Sequence, residues 1–185
     1  MRNEYPDPAN IVKATFFAAR KHQNQRRKGV DAAPYINHPL AVAYVLAVEA
    51  GIKDETVIIA ALLHDTVEDT DTTFEELKEL FGEKIRQVVG EVTDDKSLEK
   101  GKRKDLQIQH APTMSPAAKQ IKIADKICNI RDITNAPPTG WSIERKLEYL
   151  KWTSNVVIGC RGVSKRLEDI YDATLKTGLE KLKLD

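Results

Sequence analysis

Apolar residues recur at steps of three and four along most of the chain, and the gaps between these runs carry helix start and stop residues, so the pattern predicts helix after helix. The first covers roughly Pro8 to His22, with Ile11, Phe16, Phe17 and several alanines as burial candidates. A polar, basic loop follows, "QNQRRKGVDAAPY". The run "NHPLAVAYVLAVEAG" then has Asn37 or His38 as N-cap, Pro39 in the first turn where its missing N–H costs little, and Gly51 as its stop. Asp54 caps "ETVIIAALLHDTVEDT", which is apolar on nearly all sides up to Leu63 and so reads as a buried helix. Thr72 or Thr73 opens "FEELKELFG", Glu83 begins a helix through Val92, and "TDDKSLEKGKRKD" reads as a charged loop. Ser115-Pro116 opens "AAKQIKIADKICNIRDI", which stops at "NAPPTG". Ser142 caps a long helix carrying Leu147, Leu150, Trp152, Val156 and Val157, and Gly162 separates it from a final helix over 164–177. No strand-like alternation competes, and no repeat or Gly/Ser linker marks a boundary. The expectation is one all-α domain over residues 1–185, a bundle of about eight to ten helices with its core over about 8–160.

Composition narrows the partners more than the fold. With 41% hydrophobic and 31% charged residues, the 185-residue chain is far from the disordered regime. A formal net charge of +1 gives no global reason to seek nucleic acid or an anionic membrane, so neither is expected as a partner. Two cysteines, Cys128 and Cys160, imply neither a disulfide framework nor a thiolate cluster, which points to a reducing cytoplasm. The N-terminus lacks an apolar signal core, and no run approaches the ~20 apolar residues of a membrane span. Oligomeric state is not legible.

One stretch resists the hydrocarbon pattern. "AALLHDTVEDTDTT" places His64, Asp65, Glu68, Asp69 and Asp71 directly behind an apolar run. On a helix, His64, Asp65, Glu68 and Asp69 are related by steps of one, three and four and share one side. Carboxylates crowded in an apolar setting repel and lose hydration, and a divalent cation is the simplest compensation. Acids also favour helix starts, which accounts for Asp71 before the next helix but not for His64 or Asp65. His38 at a helix start is either a capping group or a further ligand. Asp125, inside "IKIADKICNI", is either a ligand or a partner of Lys122 or Lys126. Two imidazoles and two carboxylates together would suit Mn²⁺, Fe²⁺ or Zn²⁺ better than Ca²⁺.

The phrases "FAARKH", "QRRK", "PYINHP", "AALLHDTVEDTDTT", "EVTDDK", "IKIADK" and "GWS", in that order from about Ala14 to about Val157, resemble the HD superfamily of metal-dependent phosphohydrolases. More narrowly they resemble the hydrolase domain of RelA/SpoT enzymes, and within it the stand-alone small alarmone hydrolases that include the metazoan SpoT homologue. The resemblance implies that His38, His64, Asp65 and Asp125 are metal ligands, usually for Mn²⁺, and that Glu68 and Asp69 are the acidic pair beside the attacking water. It implies a purine nucleotide substrate, the 3′-pyrophosphate of guanosine tetra- or pentaphosphate, hydrolysed to GDP or GTP and pyrophosphate. Arg27, Lys28, Tyr35, Lys100, Asn129, Arg145 and Tyr149 match positions around the substrate. For Arg27 and Lys28 the plain alternative is a solvated basic run, and for Tyr149 a core aromatic beside Leu147, Leu150 and Trp152. Cys128 stands where relatives can carry a bulkier side chain, and it reads as a small buried apolar residue.

Such chemistry makes physical sense: a divalent ion acidifies water and polarises a phosphoryl oxygen, a nearby carboxylate takes the proton, and fixed cations meet the phosphate charge. Arg27 and Lys28 from the first basic loop, and Lys100, Lys102, Arg103 and Lys104 from the second, are the cation candidates, with Lys100 preferred in the second. Two other readings share the sequence. The same fold could act on an adenosine alarmone or on the 2′-phosphate of NADPH, or it could be a non-catalytic nucleotide sensor.

Overall fold

The computed structural model describes residues 6–29 and 31–184, most of them in ten α-helical segments, with no strand among the described residues. α1 (Pro8–Lys21) is opened by Asp7, whose carboxylate accepts from Ala9 N at 2.9 Å. α2 (Asn37–Tyr44) runs into a π-helical stretch, Val45–Glu49, and Gly51 ends it at φ +73°. The expected cap at Asn37 or His38 is absent. Ile36 holds the N-cap position without a side-chain bond, because the His38 ring turns into the interior toward Asp125.

α3 (Glu55–Leu63) is capped by Asp54 through Thr56 N at 2.8 Å, and every residue from Val57 to Leu63 is buried. The apolar pattern predicts this helix to continue through Thr70, with its polar stripe on one uninterrupted face. It stops at Leu63 instead, turns at His64–Asp65, and resumes as the single turn α4 (Thr66–Asp69). Side chains replace the lost backbone partners: His64 Nδ1 lies 2.7 Å from Ala61 O, and Thr66 Oγ1 donates to Leu63 O at 2.7 Å.

α5 (Phe74–Phe81) is capped by Thr73, and Gly82 at φ +89° joins it to α6 (Glu83–Val92). Asp71 does not cap α5; it pairs with Lys21 at 3.0 Å. The charged stretch read as loop is helical from Lys100 onward: α7 (Lys100–His110) has no buried residue, so apolar periodicity gave no signal. Lys, Arg, Leu and Gln are nevertheless good helix formers, and the half-buried Ile108 packs the segment against the core. α8 (Pro116–Asn135) follows, then α9 (Ile143–Cys160), capped by Ser142, and α10 (Lys165–Leu184), which continues past the expected end at Thr177.

α8 is the axis, packing against α2, α3, α6, α9 and α10, with Ile121, Ile123, Ile127 and Ile130 at 0% exposure. Burying each such side chain contributes ~1.5–3 kcal/mol. α3 packs against α1, α2, α6 and α8, so its C-terminal end, the start of α2 and the middle of α8 meet at one place. The first basic loop is tied down by isolated bridges, Arg26 with Pro34 and Gly29 with Pro138. At Gly29 a Cβ would lie 2.8 Å from Ala136 O, so the loop's close approach to that segment needs glycine. Among the described residues no helix is long and apolar enough to cross a membrane.

Candidate active site

Three elements deliver the groups that the sequence singles out. α2 supplies His38 from its first turn, the break after α3 supplies His64 and Asp65, and α8 supplies Asp125. One ligand atom each from His38, His64 and Asp65 lies within 4.8 Å of the others. Asp125 joins them through Oδ1, 3.1 Å from His38 Nε2. Asp65 reaches both rings, with Oδ1 3.2 Å from His64 Nε2 and Oδ2 3.9 Å from His38 Nε2.

The donors around these groups settle what they can do. Because the Ala61 carbonyl accepts from His64 Nδ1–H, that nitrogen is committed and Nε2 is the one left to face Asp65 as a ligand atom. That Nε2 is buried and has no hydrogen-bond partner. Burial works against the charged form of Asp65, but His64, His38 and the Tyr35 hydroxyl hold its carboxyl below the usual range. Asp125 is likewise opposed by burial, yet Lys126 and His38 keep it well below its ordinary value. Lys126 Nζ donates to Asp125 Oδ2 at 2.9 Å and Asn129 Nδ2 to Oδ1 at 2.7 Å. An unpartnered imidazole nitrogen, a second imidazole and two carboxylates held charged at one buried point fit a divalent cation.

Glu68 and Asp69 stand beside this group in different states. Glu68 accepts from Asp94 N at 3.0 Å and is otherwise lightly held; burial, with Asp94, Asp65 and Asp69 nearby, pushes its carboxyl up against that backbone bond. Asp69 is occupied: one oxygen meets Lys96, the other accepts from Tyr35 Oη at 2.8 Å, and its backbone carbonyl accepts from Gln25.

The positions matched to substrate line the approach, with one reassignment. Tyr35 faces the acids, its hydroxyl 2.8 Å from both Asp65 Oδ2 and Asp69 Oδ2, and so is built into the carboxylate network. Arg27 Nη2 donates to Asn129 Oδ1 at 3.0 Å and Asp132 Oδ2 at 2.5 Å, and its guanidinium lies 5.6 Å from the centre of the Tyr35 ring. Burial, with Arg145, Lys28 and Arg103 close by, pushes the Lys100 amine down, so cations from the first basic loop, α7 and α9 share one region. Arg145 stacks on Trp141 at 4.3 Å, and Tyr149 sits between Trp141 and Trp152, its hydroxyl pushed up to about 12 by burial. Tyr149 thus joins both readings, a packed aromatic on the wall of the cationic region. Lys126, named only as a salt-bridge partner of Asp125, also lies 4.5 Å from the Trp152 ring. Asp94 and Lys96 lie within "EVTDDK" and Asp132 shortly after "IKIADK", but no local pattern assigns them a role, since their partners lie 26 to 105 residues away.

Comparison with known proteins agrees with this geometry. Residues 14–150 match the HD domain family. The guanosine-3′,5′-bis(diphosphate) 3′-pyrophosphohydrolase MESH1 of Xenopus tropicalis is 54% identical over 166 residues, covering 90% of this chain and 93% of that protein. The Homo sapiens protein of the same name is 52% identical over 163 residues, covering 88% and 91%. A solved structure described as a metazoan ortholog of SpoT that hydrolyzes ppGpp superposes with a TM-score of 0.89 at 47% identity, over 95% of this chain and 98% of that one.

Proposed function

The chain belongs to the HD domain family, as a hydrolase of the RelA/SpoT type, and from that premise we propose that it hydrolyses guanosine 3′,5′-bis(diphosphate) to GDP and pyrophosphate with Mn²⁺. The observation that carries the reading is the convergence of His38, His64, Asp65 and Asp125 around the unpartnered His64 Nε2, next to a carboxylate with a raised pKa. In this reading those four residues hold the metal, which when bound acidifies water and polarises a phosphoryl oxygen.

The chain's own groups do the rest. Glu68 takes the proton of the attacking water, a role favoured by a carboxyl that burial and the neighbouring acids make more basic than usual. The water oxygen bonds to the phosphorus attached to the ribose 3′ oxygen, the bond between that phosphorus and the 3′ oxygen breaks, and the 3′ oxygen takes up a proton as GDP leaves. Asp69, fixed by Lys96 and Tyr35, orients the water. Lys28, Lys100 and Arg145 meet phosphate charge, while Arg27, braced by Asn129 and Asp132, and Tyr149 frame the base. The two free, buried cysteines accord with a cytoplasmic setting.

Chromatography of products from a panel of nucleotides and metals tests this. Pyrophosphate and GDP should appear with Mn²⁺, vanish with a chelator and return on adding the metal back. Asp65→Ala and Asp125→Ala should lose metal and turnover together. Glu68→Gln should keep the metal and lose ~10²–10⁴-fold in kcat. Wild-type turnover in metal-free protein would overturn the reading. A kcat/KM for NADPH or an adenosine alarmone orders of magnitude above that for the guanosine compound would replace the substrate, and tight nucleotide binding without product would make the protein a sensor.

A further inference from the structure

α7 brings to the site a cation that the scheme above does not use. Arg103 lies one turn beyond Lys100, its side chain 24% exposed, and its Nη1 is 3.8 Å from Glu68 Oε1. That separation is too long for a hydrogen bond, and Glu68 is already held on its other oxygen by Asp94 N at 3.0 Å. Arg103 is therefore not needed to fix Glu68. Its Nε is buried with no hydrogen-bond partner, although a guanidinium offers five N–H donors in a rigid fork. Leaving a buried donor unmatched is costly, so the unpaired Nε of Arg103 calls for a ligand.

The surroundings say which ligand those donors await. Arg103 also lines a cavity of about 400 Å³ between α6 and α7, whose other polar groups include Asp94, Asp95 and Gln107. Those groups do not occupy it: Asp94 is bonded to Gln107 at 2.6 Å and Asp95 to Ser97 N at 2.9 Å. Lys100, one turn away on the same helix, has Arg145, Lys28 and Arg103 about it, and of these cations Arg103 is the one that reaches Glu68. A forked donor between a proton-accepting carboxylate and a phosphate-binding cluster matches a doubly charged phosphoryl group, which it can hold in bidentate fashion.

We propose that Arg103 is a catalytic residue whose guanidinium grips the non-bridging oxygens of the 3′-pyrophosphoryl group while it stands against Glu68. The charge that builds on that group as water attacks is met by a donor already oriented and partly desolvated, and no bond to Arg103 forms or breaks. The inference rests on the hydrolase reading and adds a residue to it.

Kinetics of Arg103→Gln, with inhibition by inorganic pyrophosphate and by GDP measured on the same protein, provide the test. The variant should lose about a hundredfold in kcat and raise KM about tenfold, since the group that Arg103 grips is present in the bound substrate as well. Inhibition by pyrophosphate should weaken about tenfold, and inhibition by GDP should stay within about twofold. Arg103→Lys, which keeps the charge and the fold but not the fork, should lose about tenfold in kcat and recover most of the pyrophosphate inhibition. A fall in kcat with pyrophosphate inhibition unchanged would mean that Arg103 acts only through Glu68, and the proposal fails. Wild-type kinetics in Arg103→Lys overturn it as well, which keeps it refutable should the glutamine variant not fold. A wild-type protein inactive on every nucleotide would instead bring down the hydrolase reading itself.

Discussion

Tyr35→Phe isolates a single oxygen at the centre of the site. The ring keeps its stacking on His22 at 4.9 Å and its place beneath Arg27, so packing is unchanged. What disappears is the hydroxyl 2.8 Å from Asp65 Oδ2 and Asp69 Oδ2. Burial and the two acids push the phenol well up, so it remains a donor at any working pH, but with one proton it can donate to only one carboxylate at a time. The loss is thus one hydrogen bond to a charged group, ~1.5–3 kcal/mol. If Asp65 is a metal ligand, removing the partner that orients it should weaken metal affinity about 10–100-fold. At ~1.4 kcal/mol per decade that is ~1.4–2.8 kcal/mol, matching the lost bond, so nearly all of it should appear in metal binding rather than in the fold. Calorimetric titration of Mn²⁺ into chelator-stripped wild-type and variant protein measures the first quantity, and the melting temperature of the metal-free proteins the second. A variant that folds normally and binds Mn²⁺ with wild-type affinity would show that Tyr35 does not orient Asp65, and the reasoning would be wrong.

Two further outcomes test the frame around the site. A Cβ at Gly159 would stand 2.8 Å from Ala111 Cβ and 2.9 Å from Pro112 Cδ, so Gly159→Ala must push α9 off the turn that follows α7. Overpacking of ~1–3 kcal/mol should exceed the helix-propensity gain of ~1 kcal/mol, lowering the urea midpoint; an unchanged or raised midpoint would contradict this. Glu49 and Arg131 form a two-pronged pair at 2.7 and 2.8 Å, and the bonds from Arg131, against burial, hold the Glu49 carboxyl below its usual 4.5. A depressed carboxyl stabilises the fold above its unfolded pKa, and that stabilisation is lost as pH falls through the lower folded value. Glu49→Gln should therefore cost about 1 kcal/mol at neutral pH, discounted for partial exposure, with the gap to wild type closing as the solution is acidified past that range. A gap that stays constant with pH would exclude the ion pair as its source.

Much of this molecule was legible in its residues because the signals concerned are local. Caps at Asp54, Thr73, Ser115 and Ser142, the stop at Gly51, and the buried runs of α3 and α8 each depend on neighbours three or four positions away. The motifs around His38, His64 and Asp125 marked the same groups that the fold brings together. Where the local signal is weak or conflicting, the structure departs from the pattern. α7 carries no buried residue and so no apolar period, and α3 ends early because His64 and Thr66 take up its last carbonyls.

What the sequence by itself determined, then, is the helical content, the burial of α3 and α8, and the identity of the ionisable groups set against them, since periodicity, capping and side-chain chemistry are properties of short stretches. Tertiary structure alone decided how those groups divide their work. Asp125 meets His38 across 87 residues, Lys96 occupies Asp69 across 27, and Arg103 comes to Glu68 on a helix whose own pattern was silent. Partners so distant are chosen by how helices pack around a common core, and that is also what sets the burial on which each carboxylate's charge depends.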